Sequence, residues 1–398
     1  MLNVFSKSKP WMVASLLAAT TVFGQSDDKS SRQRACETKP VKCEPVKCCE
    51  PVPPVQLMPA YNQCSRIEVR GSWDIFAGAS FTYWQARQEN MDLGMSILGT
   101  STTVPSAAGS TTENKVINHN FKYKPGFKIL AGVNFDHDCW DAYAEYTWFN
   151  SKTHTSALSP TPTAPFTSGS LATDSASFES ASVAGTTFDN MDQSWKVKMQ
   201  SLDTALARAY YVGTKLTFRS IYGARFAWFS QSKTQILNRT GTNGVNTGST
   251  TGTETRKQSF TTWGAGPMAG LDTNWEFGEG FRMIGNTSFD LLYTRVQTSN
   301  RKATFVSAAG VTTITSYRND RPDFLMPHAN MELGFGWGSY FDCNNWHVDM
   351  LATYGFQVFW NANQFRQFNA SSNAFVNSSQ PSGNLYVHGL TATLRVDF

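Results

Sequence analysis

Two groups of side chains in this sequence have types and spacings that could do chemistry: a set of thiols, and a set of lone charges embedded in alternating apolar runs. Of the seven cysteines, Cys36, Cys43, Cys48, Cys49 and Cys64 crowd the amino-terminal part, whereas Cys139 and Cys343 each stand beside a short Asp-containing run. Thiols at this density form disulfides in an oxidising compartment, and an odd number cannot all pair within one chain. At least one is therefore expected to be free or bonded to another protein. Zinc is the competing chemistry, but the spacings give no paired C-x-x-C knuckles, and His137 and His347 are the only imidazoles near Cys139 and Cys343. No metal and no cofactor is expected. The second group, Glu145, Arg225, Asp290, Glu332, Asp349 and Arg395, lies opposite apolar neighbours wherever the chain is extended. Acids and bases gathered in one polar interior either pair with each other or sort small solutes by charge. Catalysis has poorer material: His119 and His154 are the candidates for an Asp–His pair, and no G-x-S-x-G, phosphate loop or HExxH is present.

The elements that must position these charges read as strands of period two. The last nine residues set Leu390, Ala392, Leu394, Val396 and Phe398 on one face and Thr391, Thr393, Arg395 and Asp397 on the other. A terminal strand with one apolar face and a final Phe fits the closing strand and assembly signal of a transmembrane β-barrel, with lipid outside and a wet lumen inside. An ordinary half-buried edge strand gives the same alternation, so the rest of the chain must decide.

Ten candidate strands lie near 71–86, 121–135, 139–150, 193–216, 220–231, 258–275, 280–297, 321–340, 346–362 and 384–398. The cleanest sets Trp346, Val348, Met350, Ala352, Tyr354, Phe356, Val358 and Trp360 against His347, Asp349, Thr353, Gly355, Gln357 and Asn361. This run exceeds the roughly 5–6 residues of a usual strand, and aromatics at both ends of the apolar face suit two membrane interfaces. Phase is lost only near Asp203, where a bulge is expected. Short links are read at Asp136–Asp138, Thr217–Arg219, Gly278–Gly280 and Asp342–Asn345. Long links rich in Ser, Thr, Asn and Gly cover about 88–118, 151–192, 232–257, 298–320 and 363–383. Tight periplasmic turns alternating with long external loops are the second mark of an outer-membrane barrel, which a β-sandwich has no reason to show. The expected fold class is therefore all-β: an antiparallel up-and-down transmembrane barrel of about ten strands, or alternatively twelve.

Composition agrees. The 398 residues are 40% hydrophobic and 13% aromatic, with a mean hydropathy of −0.34, as when half of every strand faces a polar lumen. A net charge of +4 without a clustered basic run excludes nucleic acid as a natural partner. Lys7 and Lys9 precede an apolar stretch from Trp11 to Phe23, which reads as a signal peptide (residues 1–24) cleaved after Gly24. Residues 25–66 then form a Cys/Pro-rich arm, extended by Pro40, Pro45, Pro51, Pro53 and Pro54 and expected in the periplasm, before the barrel at 67–398.

Several short segments carry a resemblance. Phe121–Lys128, Asn134–Asp141 and Ala144–Phe149, with Gly223-Ala224-Arg225 and Trp263-Gly264-Ala265-Gly266-Pro267, resemble the Legionella-type major outer-membrane protein family, which also occurs in chlamydia-related bacteria. The resemblance implies a pore-forming barrel and no catalytic residues, and the Cys-rich arm would suit an envelope stabilised by disulfides. Three functions then compete. A porin would pass ions and small hydrophilic solutes past the six inward charges. A scaffold or surface adhesin would have the same charges paired in a plugged barrel and cysteines linked to other envelope proteins or to a homo-oligomer. A barrel enzyme would need His119 or His154 beside Asp at the outer rim. In every case the expected partners are outer-membrane lipid and the barrel-assembly machinery.

Overall fold

The computed structural model describes residues 62–70, 74–99, 112–135, 138–161, 168–172, 188–239, 251–318, 322–365, 367–370, 376–379 and 383–398. The chain divides into two units, Met1–Pro59 and Ala60–Phe398, and all described residues belong to the second. The expected signal peptide and Cys36, Cys43, Cys48 and Cys49 lie outside the described residues, as do Trp73 and His137.

Among the described residues there are sixteen strands: β1 (Ile75–Gln88), β2 (Gly94–Gly99), β3 (Thr112–Ile117), β4 (Tyr123–Asn134), β5 (Trp140–Leu158), β6 (Ser168–Ala172), β7 (Asn190–Tyr211), β8 (Leu216–Arg239), β9 (Gly252–Gly278), β10 (Phe281–Ser307), β11 (Thr312–Arg318), β12 (Asp323–Phe341), β13 (Trp346–Phe359), β14 (Gln367–Ala370), β15 (Val376–Ser379) and β16 (Leu385–Asp397). Ten of them close an antiparallel ring in the order β1-β4-β5-β7-β8-β9-β10-β12-β13-β16, with β16 pairing back onto β1 from Phe76↔Asp397 to Gln88↔Leu385. Closure leaves no free edge in the ring. The other six decorate the long-loop end: β11 extends β10, β2, β3 and β6 form a small sheet, and β14 pairs with β15.

All ten expected strands are present, with three corrections. The link placed at Thr217–Arg219 lies instead at Val212–Lys215, because Arg219 belongs to β8 and turns inward to two carboxylates. No bulge occurs at Asp203: β7 pairs with β8 without a break from Asn190 to Tyr211. Trp195, Val197, Met199 and Asp203 all share the inward parity, and what changes along the strand is the chemistry of the lumen. The register shifts fall between β9 and β10, at Phe281/Arg282 and Val296/Thr298. Several strands also run further than expected. β9 and β10 have 27 residues each, well beyond the roughly 9–11 that cross a membrane.

The outer surface carries the apolar band that a bilayer requires. Phe81, Phe127, Ile129, Tyr222, Phe226, Phe289, Leu291, Met331, Leu333, Phe335, Met350 and Leu394 point outward and are exposed. Aromatics bound the band on both sides: Trp275, Phe281, Phe341 and Trp346 at the short-turn end, and Tyr83, Trp228, Tyr293 and Phe356 towards the loops. From Trp346 to Phe356 a strand rising ~3.4 Å per residue and tilted ~40° climbs about 26 Å, close to the apolar height of an outer-membrane barrel. Turns at the opposite end from the loops are tight. Glu279 (φ 53°) and Gly280 (φ 79°) reverse β9 into β10, and a Cβ on Gly280 would lie 2.2 Å from the Gly338 carbonyl oxygen. Asp342, Cys343 and Asn344 take left-handed conformations in the β12–β13 turn, tolerable for Asp and Asn because their short polar side chains bond locally.

Residues 62–70 form a strap over the short-turn mouth. Ser65 N–H donates to the Ala209 carbonyl (3.2 Å) and Tyr211 N–H to that of Gln63 (2.9 Å), tying the strap to β7. A Cys64–Cys139 disulfide fixes it to the start of β5. Arg66 Nη1 donates to the Phe135 carbonyl (2.9 Å). Arg70 N–H reaches the Asn344 carbonyl in the β12–β13 turn (2.8 Å), on another side of the ring.

Candidate functional site

Inward parity fixes which side chains meet inside the ring, and they separate into two layers. Towards the short turns lies a charged chamber. All six inward charges expected from the sequence are there: Glu145 on β5, Arg225 on β8, Asp290 on β10, Glu332 on β12, Asp349 on β13 and Arg395 on β16. Sequence alternation did not single out the groups that hold them. Lys128 on β4 donates to Glu145 (3.2 Å) and also meets Glu332 (3.5 Å). Four steps around the ring separate β4 from β12, so this bridge spans the lumen. Arg219 chelates Asp141 with two nitrogens (3.0 and 2.6 Å) and meets Asp272 (2.7 Å). Arg225 makes a two-pronged contact with Asp203 (2.6 and 2.7 Å) and a third bond to Asp290 (2.7 Å). The imidazole of His328, fully buried against Phe359, pairs with the same Asp290 oxygen (2.6 Å) and touches Arg225. Arg282 pairs with Asp349, and Arg395 with Asp397 (2.6 Å).

These groups surround two cavities. The deeper one, about 250 Å³, is lined by Lys128, Arg219, Arg225, Arg282 and Arg395 facing Glu145, Asp203, Asp272, Glu332 and Asp349. The second, about 310 Å³, lies under the strap at Ser65, Arg66 and Ile67 and shares Arg219, Asn274, Arg282, Asp349 and Arg395 with the first. Five cations and five carboxylates thus balance around the deeper cavity, interleaved by strand rather than gathered on opposite walls.

Above the chamber the lumen turns apolar. Trp84, Phe149, Trp195, Phe229, Phe260, Leu292, Met326, Phe359, Leu385 and Val387 project inward from nine strands, and Phe365 folds in from the loop after β13. Phe260 meets Phe365 at 4.9 Å and Phe229 meets Phe359 at 5.0 Å between ring centroids. This collar packs like the core of a soluble protein at the level of the loop-side aromatics. The signal for it was in the sequence, since each member is one residue from an outward aromatic or continues the inward parity of a charge.

The remaining candidates are placed as follows. Leu390, Leu394 and Phe398 are exposed on the outer wall, Val396 is half-buried beside them, and Phe398 N–H donates to the Ile75 carbonyl (2.9 Å) across the closing seam. Cys343 is a free, exposed thiol. His347 is buried beside Asp397 (3.4 Å), and among the described residues no group of His, Cys, Asp and Glu is arranged to hold a metal. His119 is buried at the loop end between Thr153 (2.7 Å), Thr155 (3.2 Å) and Gln193 (3.1 Å). Burial, then the charges of His154 and Lys233, holds its pKa down to about 4. His154 meets Asp192 (3.5 Å) with its ring largely open to solvent; the two do not converge with His119 on one groove.

No curated protein matches the sequence. Solved structures that align with it include the outer membrane protease OmpT from Escherichia coli (10% identity, 82% of this chain and 98% of that one, TM-score 0.37). Others are a FadL homologue from Pseudomonas aeruginosa (9%, 82% and 90%, 0.26) and the monoaromatic hydrocarbon channel CymD (11%, 82% and 88%, 0.31). At these values they bear on no activity. The sequence model of the Legionella pneumophila major outer membrane protein precursor matches residues 68–398, which contain all ten strands of the ring, and the chain is therefore a member of that outer-membrane protein family.

Proposed function

We propose that this barrel passes ions and small hydrophilic solutes passively across the outer membrane, with its short turns and amino-terminal arm in the periplasm and its long loops outside. The sidedness follows the rule that outer-membrane barrels keep tight turns on the periplasmic side. The observation that carries the reading is the charged chamber continuous with the strap-side mouth. Ion pairs taken out of water are commonly no more stabilising than apolar residues of the same volume, and this chain fills its upper lumen with such residues. A polar lower lumen with ten cavity-lining charges is then best accounted for by what it admits. The Lys128 bridge across the lumen makes the route narrow, and the equal numbers of cations and carboxylates make it weakly selective. Nothing in this reading requires catalysis.

Purified, refolded chain in a planar bilayer should give discrete current steps and a reversal potential near zero in a salt gradient. Glu332→Lys or Asp349→Lys should move that potential towards anions, because reversing a charge in a narrow pore changes which ion is concentrated there. A second reading is favoured by the apolar collar: a closed structural barrel cross-linked to other envelope proteins through its cysteines. Wild type and both Lys variants would then give no steps, and non-reducing gels of envelopes would show high-mass species that collapse on reduction.

A further inference from the structure

A second cleft, outside the lumen network just described, opens at the loop end. Its volume is about 590 Å³, and it lies between the end of β1, the turn after it, and the segment before β4. The lining is rich in side-chain amides: Gln85, Gln88, Asn90, Asn118 and Asn120, with Phe121 as its aromatic wall. Gln88 decides what the cleft is for. It is 2% exposed, yet neither its Nε2 nor its Oε1 has a hydrogen-bond partner. A buried primary amide without partners costs stability with no return inside the chain. Its neighbours, by contrast, are fixed. Glu89 accepts from Tyr386 Oη (2.6 Å) and Asn384 N (2.9 Å), and Gln85 Nε2 donates to the Phe121 carbonyl (2.8 Å). Asn120 N–H donates to Thr155 Oγ1 (2.8 Å), and Phe121 packs edge-on to Trp195 (5.5 Å). The walls are therefore preorganised around one unsatisfied donor–acceptor pair, which lowers the cost of binding.

We propose that this cleft binds a neutral saccharide. A primary amide offers one donor and one acceptor side by side, and two adjacent sugar hydroxyls return an acceptor and a donor in the same plane. Further amides on the open side extend the same pairing, and the volume lies in the usual range for small-ligand sites. The charged members, Arg87, Glu89 and Asp92, are of both signs, and Glu89 is already engaged. The site therefore selects for hydroxyls over a charged group. It is separate from the chamber, so the proposal stands whether or not the barrel conducts.

The test is saturation-transfer NMR on the full chain refolded in dimethylamine-oxide micelles, which carry no sugar headgroup. Glucose, N-acetylglucosamine and maltose are the probes, with the tripeptide Gly-Asn-Gly as an amide competitor. At least one sugar should receive saturation on its ring protons, and Gln88→Leu should weaken its binding tenfold or more while leaving the heat-modifiable folded band intact. Gln88→Met, which keeps the length of the side chain and removes both polar atoms, should behave alike and covers the case in which Gln88→Leu packs badly. The proposal is overturned if no sugar receives saturation. It also fails if binding is equal in wild type and both variants, or if Gly-Asn-Gly binds more tightly than every sugar.

Discussion

Removing the Lys128 ammonium isolates the cross-lumen bridge, because Lys128→Met keeps the length and most of the packing of the side chain. Two carboxylates, Glu145 and Glu332, then face each other without the cation that lies 3.2 and 3.5 Å from them. Losing one partner of a fully buried pair costs about 3–5 kcal/mol, and losing one from an exposed pair about 0–1. The three side chains are 11%, 24% and 10% exposed and border a cavity that water can enter, so a loss of about 2 kcal/mol is expected. Neutralising Glu332 in the same chain (Lys128→Met with Glu332→Gln) should recover about half of it, as a double-mutant cycle would show. If the chamber is the route, the single variant leaves four cations against five carboxylates and removes a strut across the lumen. Its conductance should rise and its reversal potential should move towards cations. Urea unfolding in micelles and planar-bilayer recording measure the two effects on one preparation. A loss of stability without any change in current refutes the chamber as the path, and unchanged stability refutes the bridge itself.

Three further outcomes follow from the structure. Deleting Phe398 removes the exposed terminal ring and the N–H bond to Ile75 at the closing seam; membrane-inserted, heat-modifiable protein should fall sharply in cell fractions, and normal levels would sink the assembly-signal reading. Reducing the Cys64–Cys139 disulfide should release the strap, so that limited trypsin digestion cuts at Arg66 or Arg70 within minutes while the barrel band persists; an unchanged cleavage rate would show that its hydrogen bonds alone suffice. His119 titrates lower in the folded chain, at about 4, than the 6.5 of the free group. The unfolded chain therefore binds the extra proton between these values, and stability falls as pH drops from about 6.5 towards 4. Thermal midpoints measured across that window should slope less in His119→Gln than in wild type.

The alternation along β13 and β16 was legible because two solvents press on opposite faces of a strand. Trp346, Met350, Tyr354 and Phe356 on the outside with His347, Asp349, Thr353 and Gln357 within follow it, before Val358 is buried and Phe359 joins the collar. The sequence-based reading located the six inward charges for the same reason. It could not pair them, since Lys128 and Glu332, or Arg225 and Asp290, meet only once the ring has closed and its shear has set their heights. The phase near Asp203 was misread for a different reason. Along β7, Trp195, Val197 and Met199 are apolar and inward while Asp203 is polar and inward, so a rule that equates apolar with lipid-facing sees a lost phase where the backbone has none. The turn after β7 was displaced because Thr217 and Arg219 look like surface residues, although Arg219 is drawn inward by Asp141 and Asp272. The amide-rich cleft left no periodic trace, because its members are split between the end of β1, the turn after it and the coil before β4.

The apolar collar gives this barrel two kinds of cohesion along one axis. Beneath it, the wall has apolar residues outside and charges within, so that half relies on lipid for its hydrophobic burial. At the collar the strands close on one another's aromatic rings, which is burial of the ordinary globular sort and owes nothing to a bilayer. Stripping lipid away should therefore not loosen the molecule evenly: amide exchange would accelerate first around Glu145, Glu332 and Asp349, and the strands around Trp195 and Phe260 would hold as a ring that survives its membrane.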